Sequence, residues 1–507
     1  MRERIESKHV TKEIKSQMPV IPVEIVKERG CTFCPYYLGN YEKQPRCMMK
    51  TCAWDDENER FHPVLRELIP FYKEKMEKAE EKFLAMKKIY TKVTENMNFF
   101  EGNDPTELAR QYQTPLYVYN ERILRQRCRD LKNMVTYPHF VVDYSAKANC
   151  GLAFLQIVRS EGLEVDAMSP GEIYMERMAG FSPEDIFYIC NNVSPEEMQY
   201  AIDAGVRISV DSLSQLEQFG QLAPGHSVAV RFNPGVGAGH HEKVITAGKL
   251  TKFGIDPEDI PQVKALLKKY DLKLIGINQH IGSLFMTGDA FTASLEPLFA
   301  IARQFPDLEF VDMGGGFGIP YKKEFGEAPL DLKELGAAID KALYAFSEEY
   351  GRPLTFRIEP GRYISAESSV ILSTVHSVKH NHDRKFVGCD CGFNVLQRPI
   401  MYDSYHGVEI YRAGDQPSEK EETVTIVGNI CESGDILAKD RTLPEIMKGD
   451  TLCILDTGAY GFTMASNYNN RLRPAEILIR EDGQVVLTRE REQLEDLMHH
   501  VIPLESV

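Results

Sequence analysis

The 507-residue chain has one tryptophan, no apolar run near the ~18 residues of a membrane helix, and no surplus of positive charge. Each shortage excludes something. Without a long apolar run, no membrane-spanning role is expected. Lysine and arginine number 59 against 75 aspartates and glutamates, a formal net charge of −16. A surface that negative repels phosphate backbones, so nucleic-acid binding is not expected either. The amino terminus, MRERIESKHVTKEIKSQ, lacks the apolar stretch of a secretory signal. Eleven cysteines, an odd number scattered along the chain, suggest reduced thiols in the cytoplasm rather than a disulfide framework. What the chain does have is 43% apolar and 26% charged residues, enough for large cores in about two to four domains.

The texture changes along the chain. Residues 1–105 form an extension with a cysteine cluster, followed by the charged segment VLRELIPFYKEKMEKAEEKFLAMKKIYTKV, whose apolar spacing predicts one or two amphipathic helices. TPLYVYN, within 106–121, reads as an isolated strand that joins a later β domain. From 122 to 370 eight β-rich runs alternate with helical ones: FVVDYS, LEVDAM, IFYIC, VRISVDS, VAVRFN, LKLIGINQ, LEFVDM and LTFRIE. Such alternation implies right-handed parallel crossovers, and eight of them predict a (β/α)8 barrel, with a doubly wound open sheet as the competing architecture. Residues 371–507 alternate short strands with turns, as in an antiparallel β domain.

The ends of the eight runs carry the chemistry. Lys147 follows the first, Asp166 lies in the second, and Gln279 and His280 close the sixth. Gly314, Gly315 and Gly316 follow the seventh, and Glu359-Pro360-Gly361-Arg362 follow the eighth. Barrel enzymes place their chemistry at these ends and often hold phosphate after strands seven and eight. Taken alone, the glycine run is also a plain tight turn, and Lys147 a solvated surface charge. It lacks the ending of a nucleotide P-loop and lies too late in the chain for a Rossmann site. Lysine, phosphate loop and barrel together suggest pyridoxal-phosphate chemistry.

The segments YSAKAN, RFNPGVGAGHHEKVITAGKLTKFGI, HIGS, GGGFGI, EPGR, CESGD and GAYGF with SNYNNRLRPAE occur in that order. Through them the chain, from about 106 to 500, resembles the pyridoxal-phosphate decarboxylases of the alanine racemase fold, and among these the diaminopimelate decarboxylases. The resemblance implies that Lys147 tethers the cofactor through its amine and that His280 stacks on the pyridine ring. Gly314, Gly315 and Gly316 would hold the phosphate, with Ser283 and Tyr460, beside Asp166, Pro360, Gly361 and Arg362. Glu359 would face the pyridine nitrogen, where a carboxylate deepens the electron sink that decarboxylation needs. Cys431, contributed by the second subunit of a homodimer, would return a proton to the carbon that loses carbon dioxide; its bland alternative is a small buried apolar residue.

The same resemblance implies the substrate. Arg362, Arg398 and Tyr402 would bind the distal carboxylate of meso-diaminopimelate and Glu432 its distal ammonium, with Tyr460 also among the substrate-binding residues. Structural ion pairs are the competing reading of the arginines. Other diamino acids, such as D-ornithine, D-lysine or carboxynorspermidine, are the alternative substrates, and a non-catalytic decarboxylase-like binding protein is the remaining one. Asn429 and Cys391-Gly392-Phe393 depart from the family pattern, which bears on pocket shape. Cys31, Cys34, Cys47 and Cys52, spaced C-x2-C-x12-C-x4-C, suit a structural zinc site in the extension. An iron–sulfur cluster or four ordinary thiols would fit the same spacing.

Overall fold

The computed structural model describes residues 37–41, 44–47, 92–233, 235, 238–239, 252–414 and 420–504. The chain divides into two compact units, Met1–Asn96 with Lys322–Ala328, and Met97–Tyr321 with Pro329–Val507. In the first, Tyr37–Tyr41 and Gln44–Cys47 pair antiparallel, with Tyr37 opposite Cys47. The expectations for Cys31, Cys34 and Cys52, for the side chain of Cys47 and for the charged helices up to residue 91 lie outside the described residues. Among the described residues no cluster of three or more metal-ligating side chains occurs, and no helix is long and apolar enough to cross a membrane.

The second unit holds a closed barrel of eight parallel strands. They are β1 (Phe140–Ser145), β2 (Glu164–Ala167), β3 (Ile186–Ile189), β4 (Arg207–Val210), β5 (Ser227–Arg231), β6 (Lys273–Asn278), β7 (Phe310–Asp312) and β8 (Thr355–Ile358). These are the eight runs read from the sequence, and β8 closes on β1 with Phe356 opposite Phe140. Local chemistry explains the crossovers. In SPGEIYMERMAG the hydroxyl of Ser169 caps the helix Pro170–Ala179, proline takes the first turn, and Gly180 ends it in the left-handed region at φ 96°. Ser194, Pro195 and Gly205 repeat the device around Pro195–Ala204, here with a capping box to Glu197. Phe187 of β3 meets Phe310 of β7 edge to face across the barrel interior, ring centres 5.4 Å apart. One buried ion pair staples the barrel's seam: Arg357 of β8 donates to both oxygens of Asp143 of β1, at 2.7 and 2.9 Å.

The other sheet is antiparallel-rich. Its spine is the long strand Ser369–Asn381, which pairs antiparallel with Arg384–Cys389, Thr451–Ile454 and the upstream strand Leu116–Asn120. Two pairings are parallel, Arg384–Cys389 with Glu421–Val427 and Leu116–Asn120 with Ala475–Ile479. A loop after Thr451–Ile454 returns to the barrel: Tyr460 N–H donates to the carbonyl of Ala148 at 2.8 Å, and Asn149 donates to the carbonyl of Gly458 at 3.1 Å. The sheet thereby delivers Tyr460 beside Lys147.

Glu176, on the helix Pro170–Ala179, is wholly buried, and among the described residues neither carboxyl oxygen has a hydrogen-bond partner. Burial first, then Asp166 and Glu172, push it up to about 9. An acid whose folded-state value is raised loses stability as pH climbs from its unfolded value toward the folded one, by about 1.4 kcal/mol per unit. Glu176→Met is therefore expected to raise the melting temperature markedly at pH 8 and little at pH 4.5. Thermal scans at the two values check this, and equal shifts at both would contradict it.

Candidate active site

The C-terminal ends of the strands gather most of the residues singled out above. Lys147 sits in a single 3-10 turn, Ala146–Ala148, immediately after β1. It is half-buried, and its charge interacts with Asp166, Tyr460 and Glu359. Burial opposes the ammonium, but these neighbours outweigh it and hold its value above that of a free lysine. Asp166 of β2 accepts from the hydroxyl of Ser145 at 2.7 Å through Oδ2, while its buried Oδ1 has no partner. Burial drives Asp166 upward and the Lys147 ammonium pulls the other way.

His280, Gly315 and Glu359 meet where the ends of β6, β7 and β8 converge. Gly315 N–H donates to His280 Nδ1 at 3.1 Å, and the same nitrogen lies 3.6 Å from Glu359 Oε2. Asp312, the last residue of β7, accepts from Gly314 N–H at 2.8 Å. Its other oxygen and Glu359 Oε1 are buried acceptors with no donor among the described residues, and the two carboxyls act on each other. Two acceptors satisfy each other only by sharing a proton. Burial and the charge of Glu359 push Asp312 well above the carboxylate range, so the proton resides there. Burial alone would raise Glu359 too, but contact with His280, the proton of Asp312 and the Lys147 ammonium hold it at about 2. The surroundings favour the negative charge on Glu359 over Asp312.

A cationic half adjoins this one. Arg362 Nη2 donates to Ser283 Oγ at 3.0 Å, Arg362 Nη1 to Tyr321 Oη at 2.9 Å, and the Tyr460 ring lies 5.0 Å from the guanidinium. Arg398 lies 4.8 Å from the Tyr321 ring and binds His406 at 2.8 Å. The two arginines are 6% and 2% exposed, and among the described residues neither has a carboxylate in ion-pair contact. Among the described residues, then, no structural ion pair holds these two. Buried guanidiniums held only by neutral groups make a site for an anion. Tyr402 ends the helix Arg398–Tyr402 and interacts with Arg362.

Cys431 and Glu432 occupy a different setting. They are exposed, on the loop between Glu421–Val427 and Ile436–Pro444. Cys431 N–H donates to Asn469 Oδ1 at 2.7 Å. Asp435 gathers the loop by accepting from Ile430 N–H and Phe393 N–H at 2.8 and 2.7 Å. Among the described residues, the hydrogen bonds of Cys431 and Glu432 go to this loop and to Asn469, not to the Lys147 cluster. Three site residues had escaped the reading of the sequence: Asp312, Tyr321 and His406. Only Asp312 carried a signal, as the last polar residue of a strand running into the glycines.

A family profile described as pyridoxal-dependent decarboxylase, pyridoxal binding domain, matches residues 121–366. The diaminopimelate decarboxylase of Methanothermobacter thermautotrophicus is 46% identical over 408 residues, 78% of this chain and 94% of that one. That of Escherichia coli K12 is 34% identical over 77% of this chain and 94% of its own. The crystal structure of the Helicobacter pylori diaminopimelate decarboxylase complexed with L-lysine superposes with a TM-score of 0.72 at 30% identity, covering 78% of this chain and 98% of that one. The chain belongs to the diaminopimelate decarboxylase family. Its family is pyridoxal-dependent, and the residues present suit the cofactor: an amine at Lys147, a buried ionised carboxylate at Glu359, and a cation at Arg362. The glycine loop would supply the cradle. Gly314 and Gly316 have φ of 78° and 110°, and a Cβ on Gly315 would lie 1.9 Å from the carbonyl oxygen of Glu359.

Gly315→Ala must therefore push the ends of β7 and β8 apart. It is expected to weaken pyridoxal-phosphate retention by about tenfold or more, a change of 1.4 kcal/mol or above. Absorbance titration of the folded variant measures this; affinity equal to that of the parent chain would contradict the cradle.

Proposed function

We propose that this chain removes one carboxyl group from meso-2,6-diaminopimelate, yielding L-lysine and carbon dioxide, with pyridoxal phosphate held by Lys147. The observation that carries the substrate is the buried Arg362–Tyr321–Arg398 stack, which among the described residues has no carboxylate partner. A distal carboxylate completes it, and ornithine or lysine used as a substrate would leave that charge unmatched. When bound, pyridoxal phosphate supplies the electron sink for the departing carboxyl's bonding pair.

The chain's own groups do the rest. Lys147 binds the cofactor through Nζ and, near Asp166, has a carboxylate to trade protons with. Glu359, kept ionised by the proton on Asp312, holds a proton on the pyridine nitrogen. Ser283 and Arg362 offer a hydroxyl and a cation to phosphate, beside the glycine loop. Tyr460 closes the site from the sheet side. Cys431 Sγ gives a proton to the carbon left behind, and Glu432 receives the distal ammonium. Both lie on an exposed loop, so the reading includes a homodimer in which this loop enters the partner's barrel mouth. The free thiols from Cys128 to Cys453 support a cytoplasmic setting. For Cys31, Cys34, Cys47 and Cys52 a structural zinc is proposed from spacing alone. Elemental analysis giving one zinc per chain supports it, and a metal-free protein removes it.

Two measurements test the main reading. Purified protein supplied with pyridoxal phosphate is expected to form lysine from meso-diaminopimelate; no lysine, with turnover of another diamino acid, overturns the substrate. Lys147→Ala and Cys431→Ala proteins, each inactive, are expected to recover up to about a quarter of full activity on mixing, since half the dimers regain one intact site. No recovery despite subunit exchange rules out a shared site.

A further inference from the structure

His406 lies between the helix Arg398–Tyr402 and the strand Val408–Tyr411, and both of its ring nitrogens are committed. Nδ1 is 2.7 Å from the carbonyl oxygen of Leu455, which only accepts, so Nδ1 carries the hydrogen. Nε2 is 2.8 Å from Arg398 Nη1, which only donates, so Nε2 presents its lone pair. The ring is therefore neutral and fixed in one tautomer. Burial, and next the charge of Arg398, hold it well below the ordinary histidine range. Its anchor is rigid as well: Leu455 N–H donates to the carbonyl of Gly407 at 2.9 Å. The His406 ring also meets Tyr321 edge to face at 5.5 Å, so one stack links His406, Arg398, Tyr321 and Arg362.

We infer that His406 is a specificity-setting positioning residue, whose neutral imidazole orients Arg398 without cancelling its charge and so leaves that cation whole for the far carboxylate of the substrate. An aspartate or glutamate in its place would bind the guanidinium more tightly but neutralise it. An apolar residue would leave a buried donor unpaired and the guanidinium unaimed. This inference rests on the diaminopimelate reading and adds the residue that tunes its selectivity.

Decarboxylation at one end leaves the other untouched, so the carboxylate of L-lysine is the far carboxylate of the substrate. Cadaverine is the same diamine without it. Calorimetric titration of the full-length, pyridoxal-phosphate-loaded protein with each ligand isolates that carboxylate. The parent chain is expected to prefer L-lysine. His406→Glu should lose about tenfold or more of that preference, with cadaverine binding undiminished as proof of an intact fold. His406→Gln, whose amide oxygen can accept from Arg398, should stay within about threefold of the parent. A His406→Glu protein that discriminates like the parent overturns the inference, as do Gln and Glu variants that fall equally. No preference in the parent chain itself overturns the diaminopimelate reading beneath it.

Discussion

Buried carboxyl groups, the Lys147 ammonium and the Arg231 guanidinium share the mouth of the barrel, and the rest of the site depends on how their protons are divided. Asp166, Asp312 and Glu359 are almost wholly buried, so ionising all three beside only Lys147 and the Arg231 guanidinium is unfavourable. The fold resolves this by shape. The ends of β7 and β8 bring Asp312 and Glu359 together so that one proton serves both. Burial drives Asp312 toward holding it and the neighbouring cations Lys147 and Arg231 favour charge on Glu359. A carboxylate held ionised in a buried place is what a pyridinium nitrogen requires, and it is present in the protein before any cofactor arrives.

The site is polarised. Carboxyls cluster on the Lys147 side, with Arg231 among them, and guanidiniums held by neutral partners cluster on the Tyr321 side. Tyr460, carried in by the β sheet, interacts with both Lys147 and Arg362. A cofactor with an aldehyde, a ring nitrogen and a phosphate, and a substrate with a carboxylate at its far end, match that polarity. The barrel supplies the acids and the glycine loop; the sheet and its connections supply Tyr460, Arg398 and His406. Neither part builds the site alone, and for that reason the strand Leu116–Asn120, the hydrogen bond from Asn149 to Gly458 and the return loop bear on function.

How far the sequence disclosed this follows from the range of each interaction. The barrel strands were legible because Val, Ile and Phe runs alternate with Ser-Pro starts and glycine stops, all local signals. Lys147, the glycines and Glu359 were legible because each lies at a strand end. Arg384–Cys389, Val408–Tyr411 and Ile436–Pro444 were not read as strands; the last is an edge strand whose charged residues Lys439, Asp440 and Arg441 interrupt the alternation. The parallel pairing of Leu116–Asn120 with Ala475–Ile479 leaves no local trace, because its partners are far apart in sequence. His406 was invisible because its meaning comes from a tertiary pairing, the carbonyl of Leu455 on one ring nitrogen and Arg398 of a short helix on the other.

The central claim is that the amine at the end of β1, poised among buried acids, is the group that takes the cofactor. Borohydride reduction of the protein loaded with pyridoxal phosphate, followed by peptide mapping, tests it most directly. The account predicts a phosphopyridoxyl group on Nζ of Lys147 at close to one per chain. A reduced adduct spread over surface lysines, with Lys147 unmodified, would contradict it.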